Sequence, residues 1–295
     1  GEYVTVTTVH NVGSFELKTI KCSEVIEMAD YPATAYRRKK DASITVATRL
    51  VREGTADAVV SAGSTGGQMV AALFGLGRIK GVSRPAIGCI IPPYEGGKLL
   101  VDSGANTNVD ETNLVQFAQM GSVYMNCVMG LENPRVGLIN NGSEETKGSE
   151  LTQAVYQKLK EMDDINFVGN IEGRDVPFGR ADVMACDGFT GNVVLKTMEG
   201  TAKLIMDMLK EEIYASTKGK IGGMLLKPSL SNLKKKMDYA EYGGAPLLGV
   251  NGVSVVCHGS SKARAIFKAI EVANTCCESK FVEKLKGKYE QKSEQ

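Results

Sequence analysis

The sequence has few of the residues from which metal sites and disulfide frameworks are built. Only two histidines occur among its 295 residues, and its seven cysteines include no Cys-x-x-Cys pair. This spacing fits neither a zinc site nor a disulfide framework. We therefore predict no metal and no cofactor, and we expect a reducing, cytoplasmic compartment.

The sequence also lacks long apolar runs and an excess of charge of one sign. No apolar run approaches the ~20 residues that a membrane-spanning helix needs, and residues 1–12 lack the basic start and apolar centre of a signal peptide. Lys plus Arg number 35 against 34 Asp plus Glu, so the overall charge does not favour nucleic acid. We expect a protein that is soluble or only peripherally attached to a membrane, with no nucleic-acid partner.

What the sequence does contain is a repeated strand, turn and helix pattern. A short apolar run leads into a turn rich in Gly, Ser, Thr or Asn, and a segment with apolar residues at helical spacing follows. The turns of four such units are residues 62–67, 141–148, 187–192 and 258–261. This order is typical of α/β folds. We predict a three-layer α/β structure with a largely parallel sheet, built as one domain over residues 1–295 or as two interlocked lobes.

The first of these turns resembles an anion site at the start of a helix. Ser64, Thr65 and Gly66 stand where backbone N–H groups and the helix dipole favour negative charge, so they are predicted to bind phosphate. A tight turn that only packs the helix on the sheet explains any single case equally well. Because turns after parallel strands share one edge of the sheet, we expect all four to converge on one crevice, the predicted active site.

The third turn offers the richest set of groups for phosphate chemistry. Asp187 and Asn192 supply a carboxylate and an amide, and Lys196 follows one helical turn later. We predict these three as catalytic residues, with Gly188 and Thr190 as phosphate ligands. An ordinary solvated lysine is an equal alternative for Lys196.

The other turns add further candidates. His258 stands where a strand should end and is predicted to be catalytic, because a histidine there can orient phosphate or stabilise an oxyanion. A structural histidine is the alternative. Ser260 and Lys147 are predicted phosphate ligands. Cys186 and Cys257 close apolar strand runs, which allows a thiol-nucleophile hypothesis, although buried structural cysteine is the more common state.

Residues 214–249 differ from the rest because lysines alternate with apolar residues. Leu226, Leu230 and Leu233 repeat at helical spacing while the lysines occupy other faces. We predict a protruding helical hairpin whose apolar face, formed by these leucines and Leu225, rests on an anionic membrane surface. A dimerisation arm is the alternative.

The sequence contains two further polar segments, at residues 37–40 and 284–295. Residues 37–40 are four consecutive cations. Three roles fit them: a solvated surface, a docking site for an acidic protein, or a site that holds an anion. The tail over residues 284–295 is polar, and we expect it to be frayed.

An ordered set of segments resembles the phosphate acyltransferases of bacterial phospholipid synthesis. The most specific are Gly-Ala-Asn at 104–106, Glu-Glu-Thr-Lys-Gly at 144–148, Asp-Gly-Phe-Thr-Gly-Asn at 187–192 and His-Gly-Ser-Ser at 258–261. Others lie at residues 24–28, 37–41, 58–63, 114–124, 193–196, 238–239 and 241–245. Together they cover most of residues 17–281.

The resemblance implies a homodimer with a fold similar to isopropylmalate dehydrogenases and phosphotransacetylases. It implies transfer of a long-chain acyl group from acyl carrier protein to inorganic phosphate, with membrane contact at the hairpin. The hairpin leucines could also line a channel for the acyl chain. The acyl phosphate product would pass to a glycerol-3-phosphate acyltransferase. In our mechanistic hypothesis Lys196, Asn192 and His258 bind the dianion and stabilise the oxyanion, and Asp187 orients a cation.

Two departures from the family keep other functions open. The family's first strand and its Asp-Ala-Met-Gly-Gly-Asp turn have no counterpart in residues 1–15, so we expect this unit to be missing. The family often has Asn in place of Ser64 and Ile in place of Asn141. The alternatives are a phosphotransacetylase that uses acyl-coenzyme A and a non-catalytic member that binds carrier protein or membrane. A dehydrogenase is disfavoured because no Gly-x-Gly-x-x-Gly turn is present.

Overall fold

An eight-stranded mixed sheet forms the centre of the structure, and a two-stranded sheet lies apart from it. The computed structural model describes residues 2–7, 17–91, 97–237 and 243–291. The strands are β1 (Glu2–Thr7), β2 (Leu17–Cys22), β3 (Ala58–Ser61), β4 (Ala86–Ile91), β5 (Lys98–Val101), β6 (Arg135–Asn140), β7 (Asn166–Glu172), β8 (Val183–Ala185), β9 (Ala245–Leu248) and β10 (Val253–Val256). The helices are α1 (Pro32–Arg38), α2 (Ser43–Arg52), α3 (Thr65–Ala71), α4 (Glu111–Cys127), α5 (Glu150–Lys160), α6 (Gly188–Tyr214), α7 (Thr217–Met237), α8 (Ala263–Glu278) and α9 (Phe281–Gln291).

The strand directions divide the large sheet into two parallel groups. Its order is β3-β10-β9-β4-β5-β8-β6-β7. Four of these seven pairings are parallel, namely β3 with β10, β5 with β8, β8 with β6 and β6 with β7. The pairings of β10 with β9, β9 with β4 and β4 with β5 are antiparallel. The predicted α/β fold with a mostly parallel sheet is confirmed, but β3 and β10 run opposite to β5, β8 and β6.

Alternate residues of the central strands pack on opposite faces of the sheet, which gives the layered structure. In β5, Leu99 and Val101 belong to the main core, which contains residues of α4, α5, α8 and α9. Leu100 points the other way and packs in a second cluster with Val194 and Met198 of α6. This period of two is the expected signature of a strand buried on both faces.

All four predicted strand, turn and helix units are present. They are β3 with α3, β6 with α5, β8 with α6, and β10 with α8, and a π-helical turn at Ala72–Leu76 extends α3. Three of the helices begin at a capping side chain, since Ser64, Ser149 and Asp187 each accept a hydrogen bond from a backbone N–H of the first turn. Local sequence signals therefore determined these units correctly.

The helical hairpin has different boundaries from those predicted. It consists of the long helix α6 and helix α7, and α6 already begins at Gly188. A Cβ at Gly223 would lie 2.4 Å from Ile213 Cγ2, so this glycine allows close packing of the two helices. Pro228 lies inside α7. Residues 245–248 form β9 within the sheet, because Leu247 and Leu248 are buried there.

The expectations for the two ends of the chain have different outcomes. The tail prediction is wrong through residue 291, because α9 buries Leu285 and Tyr289 against the main core. Residues 292–295, and residues 238–242 of the predicted hairpin, lie outside the described part of the chain. We expected residues 1–15 to lack the family's first strand and turn. Residues 2–7 of this range form β1, which pairs with β2. Residues 1 and 8–15 lie outside the described part of the chain.

Candidate active site

The turn after β5 is organised by the buried carboxylate of Asp102. Its Oδ1 accepts hydrogen bonds from the backbone N–H groups of Ile87 (3.0 Å), Gly104 (3.2 Å) and Ala105 (3.0 Å). Its Oδ2 accepts from Asn106 N at 2.6 Å and Asn106 Nδ2 at 2.9 Å. Burial raises the pKa of Asp102, and these donors oppose that shift. Because a carboxylate offers only acceptors, it can satisfy all five donors at once.

The start of α6 packs directly against this Asp102 turn. Gly188 N donates a hydrogen bond to Asn106 O at 2.7 Å. A Cβ at Gly188 would lie 2.8 Å from the backbone N of Asn106, and a Cβ at Gly191 would lie 2.0 Å from the carbonyl oxygen of Asp102. Only glycine permits this backbone-to-backbone contact. The two glycines therefore fix the position of the α6 N-terminus on the turn.

Asp187, Gly188 and Thr190 are held by hydrogen bonds at the start of α6. Asp187 is the N-cap of α6, and its two carboxylate oxygens accept from Thr190 N (2.9 Å) and Thr190 Oγ1 (2.7 Å). None of its hydrogen bonds within the described residues comes from a cation. Because the N–H of Gly188 is also occupied, these three residues build the first turn of α6. The catalytic role of Asp187 and the phosphate contacts of Gly188 and Thr190 stay predictions.

Asn192 and Lys196 lie on the exposed side of α6. Asn192 Nδ2 donates a long hydrogen bond of 3.4 Å to the carbonyl oxygen of Ser103. Lys196 Nζ pairs with Glu199 Oε2 at 2.7 Å, and half of its side chain remains exposed. Both side chains are therefore accessible to a ligand, and the ion pair of Lys196 is of the surface type that exchanges easily.

The turn with Lys147 lies at the same edge of the sheet as the start of α6. It follows β6, which is the parallel neighbour of β8. Asn140 Nδ2 donates to the carbonyl oxygen of Lys147 at 3.1 Å, which closes the turn. The side chain of Lys147 is exposed. Parallel pairing has thus brought together the Asp102, Lys147 and Asp187 turns.

An open cleft of about 480 Å³ lies between these turns and combines polar with apolar groups. It is lined by Thr107, Asn108, Val109, Leu151, Asp187, Phe189 and Thr190. The sequence did not indicate residues 107–109, because they belong to a long connection between β5 and α4 without a repeated motif.

The Ser64 turn, at the end of β3, presents backbone donors that no described residue pairs with. Ser64 Oγ accepts from Gly67 N at 3.2 Å. Within the described residues, the N–H groups of Thr65 and Gly66 have no acceptor. Pro32 packs over the turn, since its Cγ would lie 2.9 Å from a Cβ at Gly66. The turn therefore has the free donors that the sequence predicted for an anion site.

The His258 turn adjoins the Ser64 turn because β10 and β3 are parallel neighbours. His258 is exposed, and its Nδ1 accepts a hydrogen bond from Ser260 N at 3.2 Å. Ser260 Oγ also lies 2.6 Å from that nitrogen. Since Nδ1 acts as an acceptor, the proton of a neutral ring is assigned to Nε2. His258 therefore presents an N–H donor to solvent.

The four predicted turns thus form two pairs and not one set. The Ser64 and His258 turns follow strands of one direction, while the Lys147 and Asp187 turns follow strands of the other. Among the described residues, no hydrogen bond or ion pair links the two pairs directly. The expectation that all four follow strands of one parallel set is wrong, because three antiparallel pairings separate the groups.

The thiol-nucleophile hypotheses for Cys186 and Cys257 can be judged from the burial of these side chains. Burial raises the pKa of the Cys257 thiol to about 11 and that of Cys186 well above its usual value, in the latter case with help from Asp187 and Asp102. Neither thiol forms a thiolate readily, so a nucleophilic role is not supported.

Within the described ranges, no three His, Cys, Asp or Glu side chains gather as a metal site would require. No helix in these ranges has the length and apolarity to cross a membrane.

Comparison with known sequences identifies close relatives. The family model described as "Fatty acid synthesis protein" matches residues 4–284. A protein of Desulfitobacterium hafniense named phosphate acyltransferase is 58% identical over 267 residues, which cover 90% of this chain and 80% of that protein. Proteins of the same name from Pelotomaculum thermopropionicum and Clostridium botulinum are 53% and 50% identical, over 92% of this chain and 79% and 80% of their own lengths.

Solved structures with a similar fold are phosphotransacetylases at low sequence identity. The phosphotransacetylase of Streptococcus pyogenes aligns with a TM-score of 0.55 at 14% identity, over 82% of this chain and 69% of that one. The EutD phosphotransacetylase of Staphylococcus aureus gives 0.54 at 16% identity, over 80% and 68%. These alignments confirm the predicted likeness of fold.

Proposed function

The chain belongs to the phosphate acyltransferase family, and we propose that it transfers a long-chain acyl group from acyl carrier protein to inorganic phosphate. The product would be an acyl phosphate, which a glycerol-3-phosphate acyltransferase would consume in phospholipid synthesis. The relatives support the reaction class. The choice of acyl carrier protein over coenzyme A is part of the proposal.

The observation that carries the proposal is the set of free donors where β3 and β10 end. The N–H groups of Thr65 and Gly66 have no acceptor within the described residues, and His258 presents Nε2–H beside them. These are uncharged, directional donors of the kind that hold phosphate at a helix start. We propose that phosphate binds here, with Ser260 keeping the imidazole oriented.

Asn192 and Lys196 belong to the other pair of turns and are proposed to act on the thioester, so the reaction requires both substrates to extend into the space between the two pairs. As a phosphate oxygen attacks the thioester carbonyl carbon, the carbonyl oxygen becomes negative, and then the carbon–sulfur bond breaks and the carrier thiolate leaves. Phosphate is itself a nucleophile, so positioning and oxyanion stabilisation are the contributions required of the protein. Both side chains are exposed on α6, where Lys196 can exchange Glu199 for the developing charge.

Acyl phosphate formation from palmitoyl-acyl carrier protein and phosphate tests this assignment. We expect Lys196→Ala to lower kcat/KM by about 10²- to 10³-fold, the usual loss for an oxyanion donor. His258→Ala removes a proposed phosphate donor and should raise the KM for phosphate about tenfold or more. Lys203→Ala is the matched control, because Lys203 lies on the same helix and pairs with Asp207 at 2.6 Å on the exposed surface. It should retain turnover within about twofold, as expected for a surface ion pair.

The same assay separates the competing functions. Higher kcat/KM with palmitoyl-coenzyme A than with palmitoyl-acyl carrier protein would favour the phosphotransacetylase-like alternative. Binding of acyl carrier protein without any product would favour the non-catalytic alternative. Normal turnover of both Lys196→Ala and His258→Ala would refute the residue assignment while leaving the reaction intact.

We further propose that the hairpin of α6 and α7 rests on an anionic membrane surface. Leu225 and Met224 are 79% and 68% exposed, and Ile221, Leu226 and Leu233 are exposed as well. Leu230 is only half-exposed, which makes it the least accessible of the four predicted contacts. Exposed leucines beside lysines on one helix are typical of an interfacial segment. A homodimer that buries the same face is the competing explanation.

Flotation with anionic liposomes distinguishes these explanations. We expect Leu225→Glu to lower the ratio of bound to free protein about tenfold or more, because burying one leucine is worth about 1.5 to 3 kcal/mol. Ser231→Glu adds the same charge at a polar, exposed position of α7 and should have a smaller effect. If Leu225→Glu converts dimers to monomers in light scattering without changing flotation, the hairpin is a dimerisation arm.

A further inference from the structure

Helix α1 and the π-helical turn after α3 together expose a basic and aromatic surface. We define this α1 patch as Tyr36, Arg37, Arg38, Lys40 and Phe74. The rings of Tyr36 and Phe74 stack with centroids 6.1 Å apart. Arg37 lies 5.8 Å from the centroid of Phe74, and Lys40 lies 5.4 Å from that of Tyr36. Arg37 and Lys40 are therefore held against the rings, and all three cations of the patch are exposed to solvent.

The cations of the patch have no acidic partner among the residues that the structure describes. Lys39, between them in sequence, pairs with Asp30 at 2.6 Å and also donates to Val25 O. By contrast, Arg37, Arg38 and Lys40 are exposed, and none of them forms an ion pair with another described residue. Favourable interaction with the C-terminus of α1 accounts for part of their placement. It does not account for the aromatic half of the patch.

Phe74 is kept at the surface by the packing beneath it. Its side chain is 51% exposed, although Leu76 of the same turn is buried. A Cβ at Gly75 would lie 2.6 Å from Thr48 Cγ2 and 3.1 Å from Tyr36 Oη. Gly75 therefore lets the turn approach α2 and α1 closely, which leaves Phe74 stacked on Tyr36 at the surface.

The patch lies next to the proposed phosphate site. Pro32, the first residue of α1, packs over Gly66 of the Ser64 turn. The seven residues of α1 rise by about 10 Å in total, so the patch at its far end is about that distance away along the helix. A protein bound to the patch would be positioned to present a substrate at the Ser64 turn.

We propose that the α1 patch is the docking surface for the acidic face of the carrier protein that delivers the acyl thioester. The inference rests on the proposed function and adds a partner site to it. Three cations without an ion pair to any described residue complement carboxylates, and the stacked rings supply apolar contact area at the centre of the interface. Arginine and aromatic residues are the types enriched at such contacts.

Charge reversal with two acyl donors tests the proposal. For Arg37→Glu with Lys40→Glu, we expect KM for palmitoyl-acyl carrier protein to rise about tenfold or more, because complementary charges speed encounter and fix register. The kcat/KM for palmitoyl-coenzyme A, which has no protein to dock, should stay within about twofold. Arg37→Gln with Lys40→Gln provides a milder version should the reversal disturb α1. Lys284→Glu with Lys286→Glu on α9 makes the same change in net charge and should alter neither donor.

Calorimetric titration with acyl carrier protein makes the result independent of turnover. Loss of wild-type affinity on raising salt, together with a flatter salt dependence in the variant, would support the proposal. Equal loss with both acyl donors, or unchanged carrier affinity, would overturn it. Reduced binding to anionic vesicles with unchanged carrier affinity would also overturn it and assign the patch to a membrane. Absence of turnover in wild type with either donor would reject the proposed function, and the titration would still judge the patch.

Discussion

Replacing Gly191 with alanine is expected to abolish activity and to cost more stability than an ordinary core substitution. The added Cβ would lie 2.0 Å from the carbonyl oxygen of Asp102 and 3.0 Å from Cys186 Sγ. Overpacking usually costs about 1 to 3 kcal/mol when side chains can move aside. Here the obstacle is backbone that five hydrogen bonds hold in place. We therefore expect a loss of more than about 3 kcal/mol, or failure to fold.

Urea unfolding and the acyl phosphate assay measure both effects. The matched control is Gly200→Ala in the same helix, where a Cβ would meet nothing within 4 Å. That change should leave turnover intact and raise stability by about 0.5 to 1 kcal/mol, because alanine is the better helix former. Wild-type stability in Gly191→Ala would show that α6 does not approach the Asp102 turn as closely as described.

Asp102→Asn is expected to have the second largest effect. Asparagine keeps the shape of the side chain but replaces one acceptor oxygen with an NH₂ group. On either side, that NH₂ would face N–H donors, from Ile87, Gly104 and Ala105 at one oxygen or from Asn106 at the other. Each donor left unpaired in the interior costs about 1 to 3 kcal/mol, so we expect a total loss of about 3 to 5 kcal/mol.

Activity should fall with stability in Asp102→Asn, because Asn106 and Ser103 of the same turn bond to Gly188 and Asn192 of α6. Asp110→Asn is the control. Asp110 caps α4, and asparagine caps a helix as well as aspartate does, so stability should change by less than about 0.5 kcal/mol. Equal unfolding free energies for the wild type and Asp102→Asn would contradict the role assigned to this carboxylate.

The sequence predicted the local elements well because their signals lie within a few residues. The strand before each turn is a short apolar run, and Ser64 and Asp187 cap the helices that follow them. The helix of the third unit was recognised, but its length was not, because the change from buried to exposed along α6 depends on what packs beside it. The organising role of Asp102 was missed, although the turn Asp-Ser-Gly-Ala-Asn follows an apolar strand.

By itself the sequence determined the α/β class, the four strand, turn and helix units, and the family. These depend on residue order and on side-chain chemistry that acts over one or two turns of chain. Only the tertiary structure decided which turns meet. The parallel pairing of β3 with β10 joins the Ser64 turn to the His258 turn, and antiparallel pairings place the Asp187 turn in the oppositely directed group. Strand direction follows from contacts between residues almost 200 positions apart, and no local pattern encodes such contacts.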